Sequence, residues 1–185
     1  MTTDGLTING VSFGWTEIGR VGYHASDIYV NGAYMGAVFV IRVGTAAATA
    51  VFRLDSRTTG AVKINRNYEQ RDHHQAQWTK AVNILEEKVC GRLISAAVAT
   101  VQRGGTANIS GLRIDPHGVH KGRLFSKSLA WQDFAGTDKR NEYFVVLAHR
   151  DGKEKPAIKV PVNGWNGVLI PRIITELASN VGRQH

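Results

Sequence analysis

The sequence has too few cysteines for a disulfide framework, too few prolines for a proline-rich linker and too short an apolar run for a membrane-spanning helix. Its 185 residues include a single cysteine, Cys90, so no disulfide can form within the chain. Four prolines against 20 glycines are typical of short strands joined by tight turns, and not of a proline-rich linker. The most apolar stretch, residues 34–52, contains Arg42 and is too short and mixed to cross a membrane as a helix. Residues 1–10 lack the basic and apolar segments of a secretory leader, so we expect a cytoplasmic protein.

The sequence also lacks the short motifs that usually mark an active site. It contains no phosphate-loop or dinucleotide-binding glycine pattern, no G-x-S-x-G and no recognisable pair of carboxylates. His73 and His74 are adjacent and would point about 100° apart on a helix, so they cannot easily bind one metal ion. His117 and His120 flank a turn with no cysteine nearby. Cys90 lies beside the apolar face of a helical segment, which indicates a buried structural thiol. We therefore predict no enzyme activity, no cofactor, no metal and no small-molecule substrate.

Positive charge is in excess. The chain has 23 basic and 15 acidic residues, which gives a formal net charge of +8. Such a protein attracts acidic partners, among them anionic lipid, nucleic acid and acidic protein surfaces. The charges are spread along the chain without a long block of one sign, so a solvated surface explains them equally well.

Turn dipeptides and hydrophobic alternation predict a chain built mainly of short strands. Asn9-Gly10 and Asn31-Gly32 each separate two apolar segments and predict tight hairpins. Further strands are predicted at residues 50–54, 61–64, 109–114, 128–134, 143–148 and 157–162. The segment Asp115-Pro116-His117-Gly118 predicts a turn after the strand at residues 109–114. The pattern changes to a helical period at residues 70–103 and again at 166–181, where apolar residues recur every three or four positions. The first apolar stripe consists of Trp78, Val82, Leu85, Val89 and Leu93, and the second of Leu169, Ile170, Ile173, Ile174 and Leu177.

The tryptophans suggest an internal repeat. Trp15 and Trp131 each lie in a predicted strand and are followed by polar, acidic and apolar residues, while Trp78 and Trp165 each lie near the start of an amphipathic helix. This pattern, together with the helix-breaking Gly104-Gly105, predicts two units, residues 1–103 and 104–185. We expect all four tryptophans to be core residues.

The order of strands and helix resembles the pleckstrin-homology-like (PH-like) domains of bacteria. The resemblance is carried by two segments, Gly111-Leu112-Arg113-Ile114-Asp115-Pro116-His117-Gly118-Val119 and Leu129-Ala130-Trp131-Gln132-Asp133-Phe134. It covers residues 105–182 and, more loosely, residues 5–103. It implies an α+β fold with two tandem antiparallel units, each a seven-stranded bent sheet or barrel closed by a C-terminal amphipathic helix. It also implies a role in binding or self-assembly, without catalytic residues.

Two basic segments supply the candidate binding residues. Lys121, Arg123 and Lys127 form a loop before the Trp131 strand. Lys153, Lys155 and Lys159 form a second basic hairpin. Clustered cations can hold a phosphate, and the first loop lies where the resembled eukaryotic PH domains can bind phosphoinositide headgroups. A solvated loop explains the same residues.

We predict a non-enzymatic binding or assembly protein that acts through a protein partner or through self-association as a homo-oligomer. Anionic lipid is the alternative ligand. A basic protein that binds nucleic acid through its β surface is the alternative function, and it has only electrostatics in its favour.

Overall fold

The computed structural model describes residues 4–57, 64–122 and 127–181. Its fold class is α+β, with four small antiparallel sheets and three α-helices in the described ranges. Contacts divide the chain into unit 1, residues 1–90, and unit 2, residues 91–185. This division falls earlier than the one that Gly104-Gly105 predicts at residue 103, because the helical segment packs within unit 1 before Cys90 and within unit 2 after it.

Unit 1 contains a two-stranded sheet followed by a three-stranded sheet and a helix. Asn9 and Gly10 both adopt positive φ and make the tight hairpin that their sequence predicts. The elements are β1 (Gly5–Ile8), β2 (Val11–Gly14), β3 (Arg20–Val30), β4 (Ala33–Gly44), β5 (Thr49–Asp55) and α1 (Ile64–Leu85). The second sheet has the order β3-β4-β5, and α1 packs on β4 and β5.

A π-helical turn at Glu86–Cys90 follows α1, and after it the buried positions are shifted by one residue from the predicted apolar stripe. The predicted stripe includes Leu85, Val89 and Leu93, at a regular α-helical spacing. In the structure Val89 and Cys90 are both fully buried, and the buried stripe then continues at Ile94 and not at Leu93. A π-turn adds one residue to the helical repeat, so the buried face moves on by one position. Cys90 is buried, as predicted.

Unit 2 begins with helix α2 (Gly91–Gln102), which packs on the C-terminal helix and on the first strand of the unit. A four-stranded antiparallel sheet follows, of β6 (Ala107–Ile109), β7 (Leu112–Asp115), β8 (Gly118–Lys121) and β9 (Lys127–Ala130). A three-stranded sheet comes next, of β10 (Phe134–Arg140), β11 (Tyr143–Arg150) and β12 (Lys153–Pro161). Helix α3 (Ile170–Val181) closes the unit after a 3-10 turn at Gly167–Leu169.

Helix α3 matches its sequence pattern closely. The apolar residues predicted for its inner face are all buried: Leu169, Ile170, Ile173, Ile174 and Leu177. Pro171 is the second residue of the helix, where a missing backbone N–H costs little. Within the described ranges, no helix is both long enough and apolar enough to span a membrane.

Three predicted strands differ from the structure. Residues 109–114 form two strands and not one, because Ser110-Gly111 adopts positive φ and turns the chain between β6 and β7. The predicted strand 128–134 is interrupted by a 3-10 turn at Trp131–Asp133. Of the predicted strand 61–64, Ile64 begins α1, and the other positions lie outside the described residues.

The tryptophans are less uniform than the repeat predicts. Trp131 is 8% exposed, whereas Trp15, Trp78 and Trp165 are half-buried. Trp78 packs edge-to-face on Tyr23 at 6.2 Å and with tilted rings on Phe39 at 6.0 Å between ring centroids. Its indole N–H donates to the Val40 carbonyl at 3.2 Å. An indole N–H bonded at a rim keeps part of the ring near water, so Trp78 is a cover over the sheet and not a core residue.

Candidate functional site

Two of the predicted lysines meet a third lysine at a groove in unit 2. Lys121 is the last residue of β8 and lies opposite Lys127, the first residue of β9. Lys159 approaches from β12, and the Lys121 ammonium donates a hydrogen bond to its backbone carbonyl. A cavity of about 290 Å³ lies there, lined by Lys121, Gly122, Lys127, Pro156, Ala157 and Lys159. The fold therefore converts a basic loop into a concave basic surface.

The groove has the electrostatics of an anion site. None of the described residues that line it is acidic. Lys127 and Lys159 are exposed, and neither makes an ion pair with any residue in the described ranges. Each keeps three ammonium donors that a phosphate or carboxylate can accept. Because the site is open to solvent, its attraction for anions weakens as salt concentration rises.

A β-bulge in β12 shapes one wall of the groove. Val146 pairs with Ile158 and Leu147 pairs with Pro156, so Ala157 is an extra residue without a partner on β11. Pro156 has no backbone N–H and is tolerated because β12 is an edge strand. Bulges bend a strand locally and redirect its side chains, often beside binding sites.

The other predicted cations do not belong to this groove. Lys153 is exposed beside the β11–β12 turn, and Lys155 pairs with Asp151 at 2.6 Å. Arg123 lies outside the described residues. Lys159 was predicted in the second basic hairpin, and the structure places it instead with Lys121 and Lys127 in the groove.

A second polar array crosses the outer face of the four-stranded sheet. Asn108, Arg113, His120 and Ser128 stand in register, one on each strand. A cavity of about 600 Å³ lies over them, lined also by Ser110, Gly111, Leu112 and Gly122. Within the array, His120 connects two side chains. Its Nε2 lies 3.1 Å from Asp115 Oδ1, and its Nδ1 lies 3.0 Å from the Ser128 hydroxyl.

Asp115, the last residue of β7, is the carboxylate that contacts this array through His120. Burial raises the pKa of its carboxyl, but hydrogen bonds from the His117 N–H, from His120 and from the Gly118 N–H outweigh burial and hold the pKa below its usual value of 3.8. Its backbone carbonyl accepts the indole N–H of Trp131 at 3.0 Å. Asp115 therefore joins the β7–β8 turn to the buried tryptophan and orients His120.

We expect Asp115→Asn to lower the stability of unit 2 by about 1 to 3 kcal/mol at pH 7, because the hydrogen bonds accepted by the charged carboxylate are weakened. A carboxyl whose folded pKa is depressed stabilises the fold above its ordinary pKa, and this stabilisation is lost as pH falls through the folded value. The difference between wild type and variant should therefore shrink below about pH 4. Urea unfolding between pH 7 and pH 2 measures it.

Asp133→Asn is the matched control, since Asp133 is an exposed carboxyl on the same unit. It should leave the urea midpoint almost unchanged. A difference for Asp115→Asn that stays constant down to pH 2 would contradict the assignment of the effect to the charge.

The described part of the chain holds no group of three His, Cys, Asp or Glu side chains placed to bind a metal ion. No protein-family profile, no curated protein and no solved structure matches the chain. Function is therefore inferred from the geometry of the chain's own residues.

Proposed function

We propose that the chain is a non-enzymatic binding module whose second unit recognises an anionic group on its partner. The groove formed by Lys121, Lys127 and Lys159 carries this proposal. Three lysines line it with no acidic residue among the described lining, and two of them are exposed. A phosphate at a lipid headgroup, on a membrane surface, has the charge and size that such a groove accommodates.

The element order of unit 2 supports a PH-like interpretation of the module. Four antiparallel strands precede three, and an amphipathic helix whose apolar face is buried closes the unit. Unit 1 has the same sequence of parts in a shorter form, with two strands before three and then a helix. We propose that both units are PH-like and that the first is a reduced version.

Binding to vesicles tests the proposal. Wild-type protein should sediment with vesicles that contain a phosphoinositide or phosphatidylserine, and not with neutral phosphatidylcholine vesicles. Binding should fall steeply as salt rises from about 0.05 to 0.3 M, because exposed charges are screened. Absence of binding to acidic vesicles would contradict the proposal. Tighter binding to duplex DNA at the same salt would favour the nucleic-acid alternative.

Self-association is the second part of the proposed function. The β3–β4 hairpin extends beyond β5, whose pairing with β4 starts at Val38, and its end exposes Tyr29 and Val30 at 61% and 52%. Tyr29 and Val30 belong to β3, an edge strand of the described sheet, and exposed apolar side chains on an edge strand favour addition of another chain. Light scattering at micromolar concentration should show a mass above that of a monomer, and a clean monomer would limit the proposal to other partners.

The Asp115–His120–Ser128 chain favours one alternative function, an acyl-transfer or ester-hydrolysis reaction. If Asp115 accepts the Nε2–H of His120, Nδ1 is left to take the proton of the Ser128 hydroxyl as its oxygen attacks an acyl carbon. The same contacts are also ordinary cross-strand pairs on an exposed sheet face, and Ser128 is exposed. We therefore rank catalysis second.

A serine-reactive fluorophosphonate separates the two functions. Stoichiometric labelling of native protein that disappears in Ser128→Ala, and in His120→Ala, would establish a nucleophilic serine and replace the non-enzymatic proposal. Labelling no greater than that of Ser128→Ala would leave Ser128 a structural partner of His120.

A further inference from the structure

Unit 1 contains an apolar cavity of about 410 Å³ that neither the basic groove nor the polar array involves. It lies among β1, the three-stranded sheet and α1. Its walls are made by apolar side chains from these elements: Leu6, Ile8, Ile41, Phe52, Leu54 and Ala81. Thr7 and Gln77 complete the lining, and both are uncharged.

The cavity arises because the first sheet of unit 1 has two strands and the second has three. Strands in a sheet are spaced about 4.8 Å apart, so a two-stranded layer is too narrow to cover the inner face of a three-stranded sheet. Alternate residues of β5 point inward, and two of them are not fully covered. Ala50 is buried, while Phe52 and Leu54 are only half-buried. In unit 2, which has four strands in its first sheet, the inward Ile158 and Val160 of edge strand β12 are fully buried.

The walls of the cavity are held in place without an occupant. The Asn9 side-chain amide, in the β1–β2 turn, donates to the Val51 carbonyl of β5 at 3.1 Å. The side chain of Gln77 is hydrogen-bonded to His73 Nε2 at 3.0 Å. A largely pre-formed apolar cavity with a few polar groups is the usual form of a small-molecule site.

The size and lining of the cavity select a class of ligand. A cavity of about 150 Å³ lined by apolar side chains holds a benzene molecule, and ligand pockets commonly span about 300 to 1,000 Å³. The 410 Å³ cavity is therefore large enough for a medium alkyl chain or for two fused aromatic rings. None of the described residues that line it is charged, so a charged ligand would lose its hydration there without a described partner to compensate.

We propose that unit 1 binds a neutral apolar small molecule, of the size of a medium-chain alcohol or ester, between β1, β5 and α1. Its apolar body contacts Leu6, Phe52 and Leu54, and its uncharged polar end lies toward the amide of Gln77. Thr7 contributes only backbone, because its side chain is on the opposite face of β1 and its hydroxyl is bonded to Ser12. The proposal is independent of the anion groove, because every residue that lines this cavity belongs to unit 1.

The test uses the full chain and the neutral fluorescent probe N-phenyl-1-naphthylamine. Wild type should enhance its fluorescence saturably at one site, and decanol should displace it. Leu54→Trp fills the cavity from a half-buried position and should weaken probe binding at least about tenfold. Val51→Trp is the matched control, since Val51 lies on the same strand but is 46% exposed on its opposite face, and it should bind like wild type.

Melting curves keep the result interpretable. Decanol should raise the melting temperature of wild type and of Val51→Trp in a concentration-dependent way, because it binds only the folded state. If Leu54→Trp does not fold, Ala81→Leu fills the cavity from α1 and takes its place. Failure of wild type to bind the probe saturably, or equal binding by a folded cavity-filling variant, would overturn the proposal.

Discussion

Replacing Trp131 by alanine is expected to destabilise unit 2 by about 3 to 5 kcal/mol, the cost of removing a large buried aromatic side chain. Trp131 is 8% exposed, lies edgewise on Phe134 at 6.5 Å between ring centroids, and belongs to a 3-10 turn that packs on α3. Its indole N–H also satisfies the Asp115 carbonyl. Alanine would leave a cavity and would remove this hydrogen bond as well.

Two comparison variants separate these contributions in urea unfolding. Trp131→Phe keeps most of the apolar contact and loses the hydrogen bond to the Asp115 carbonyl. We expect the lost hydrogen bond to account for about 1 kcal/mol of the fall in unfolding free energy of this variant. Trp78→Ala should cost about 1 to 3 kcal/mol, because Trp78 is only half-buried on its own sheet. A loss below about 1 kcal/mol for Trp131→Ala would mean that the residue is not part of a packed core.

Reversing the charge of the three groove lysines is expected to abolish binding to acidic vesicles. Each lysine near an anionic surface contributes about 1 kcal/mol, so Lys121, Lys127 and Lys159 changed together to glutamate should lower affinity at least about 100-fold. All three positions are at least partly exposed, so the fold should tolerate the change.

The control for this variant changes Lys139, Lys153 and Lys155 to glutamate. It alters the net charge of the chain by the same amount but lies outside the residues that line the groove. It should retain most of the vesicle binding. Equal losses in the two triple variants would show that total charge and not the groove carries the attraction.

Short sequence patterns predicted those elements of the fold that are determined by residues adjacent in the sequence. The apolar stripe of α3, the Asn-Gly hairpins and the Asp115–Gly118 turn are all present because each depends on a few neighbouring residues. The turn has a further requirement that the sequence does not state. A Cβ on Gly118 would lie 2.1 Å from the Leu129 carbonyl oxygen, so the close approach of β9 excludes any other residue there.

Long-range features were not predictable in the same way. The π-turn at Glu86–Cys90 has no sequence signature, so the helix that it divides was predicted as one regular segment ending at the glycine pair. The groove depends on Lys159, which is 38 residues from Lys121 in the sequence and contacts it from a different sheet of unit 2. The Asp115–His120–Ser128 contacts depend on strand register, which the β7–β8 turn and the pairing of β8 with β9 decide together.

An amide chemical-shift titration with a soluble inositol trisphosphate tests the central claim most directly. The account predicts saturable shifts that are largest at Lys121, Gly122, Lys127, Ala157 and Lys159, with small changes at Lys153 and Lys155. Saturable shifts centred on the β11–β12 turn, or no saturable shift in unit 2, would contradict the assignment of the groove as the binding site.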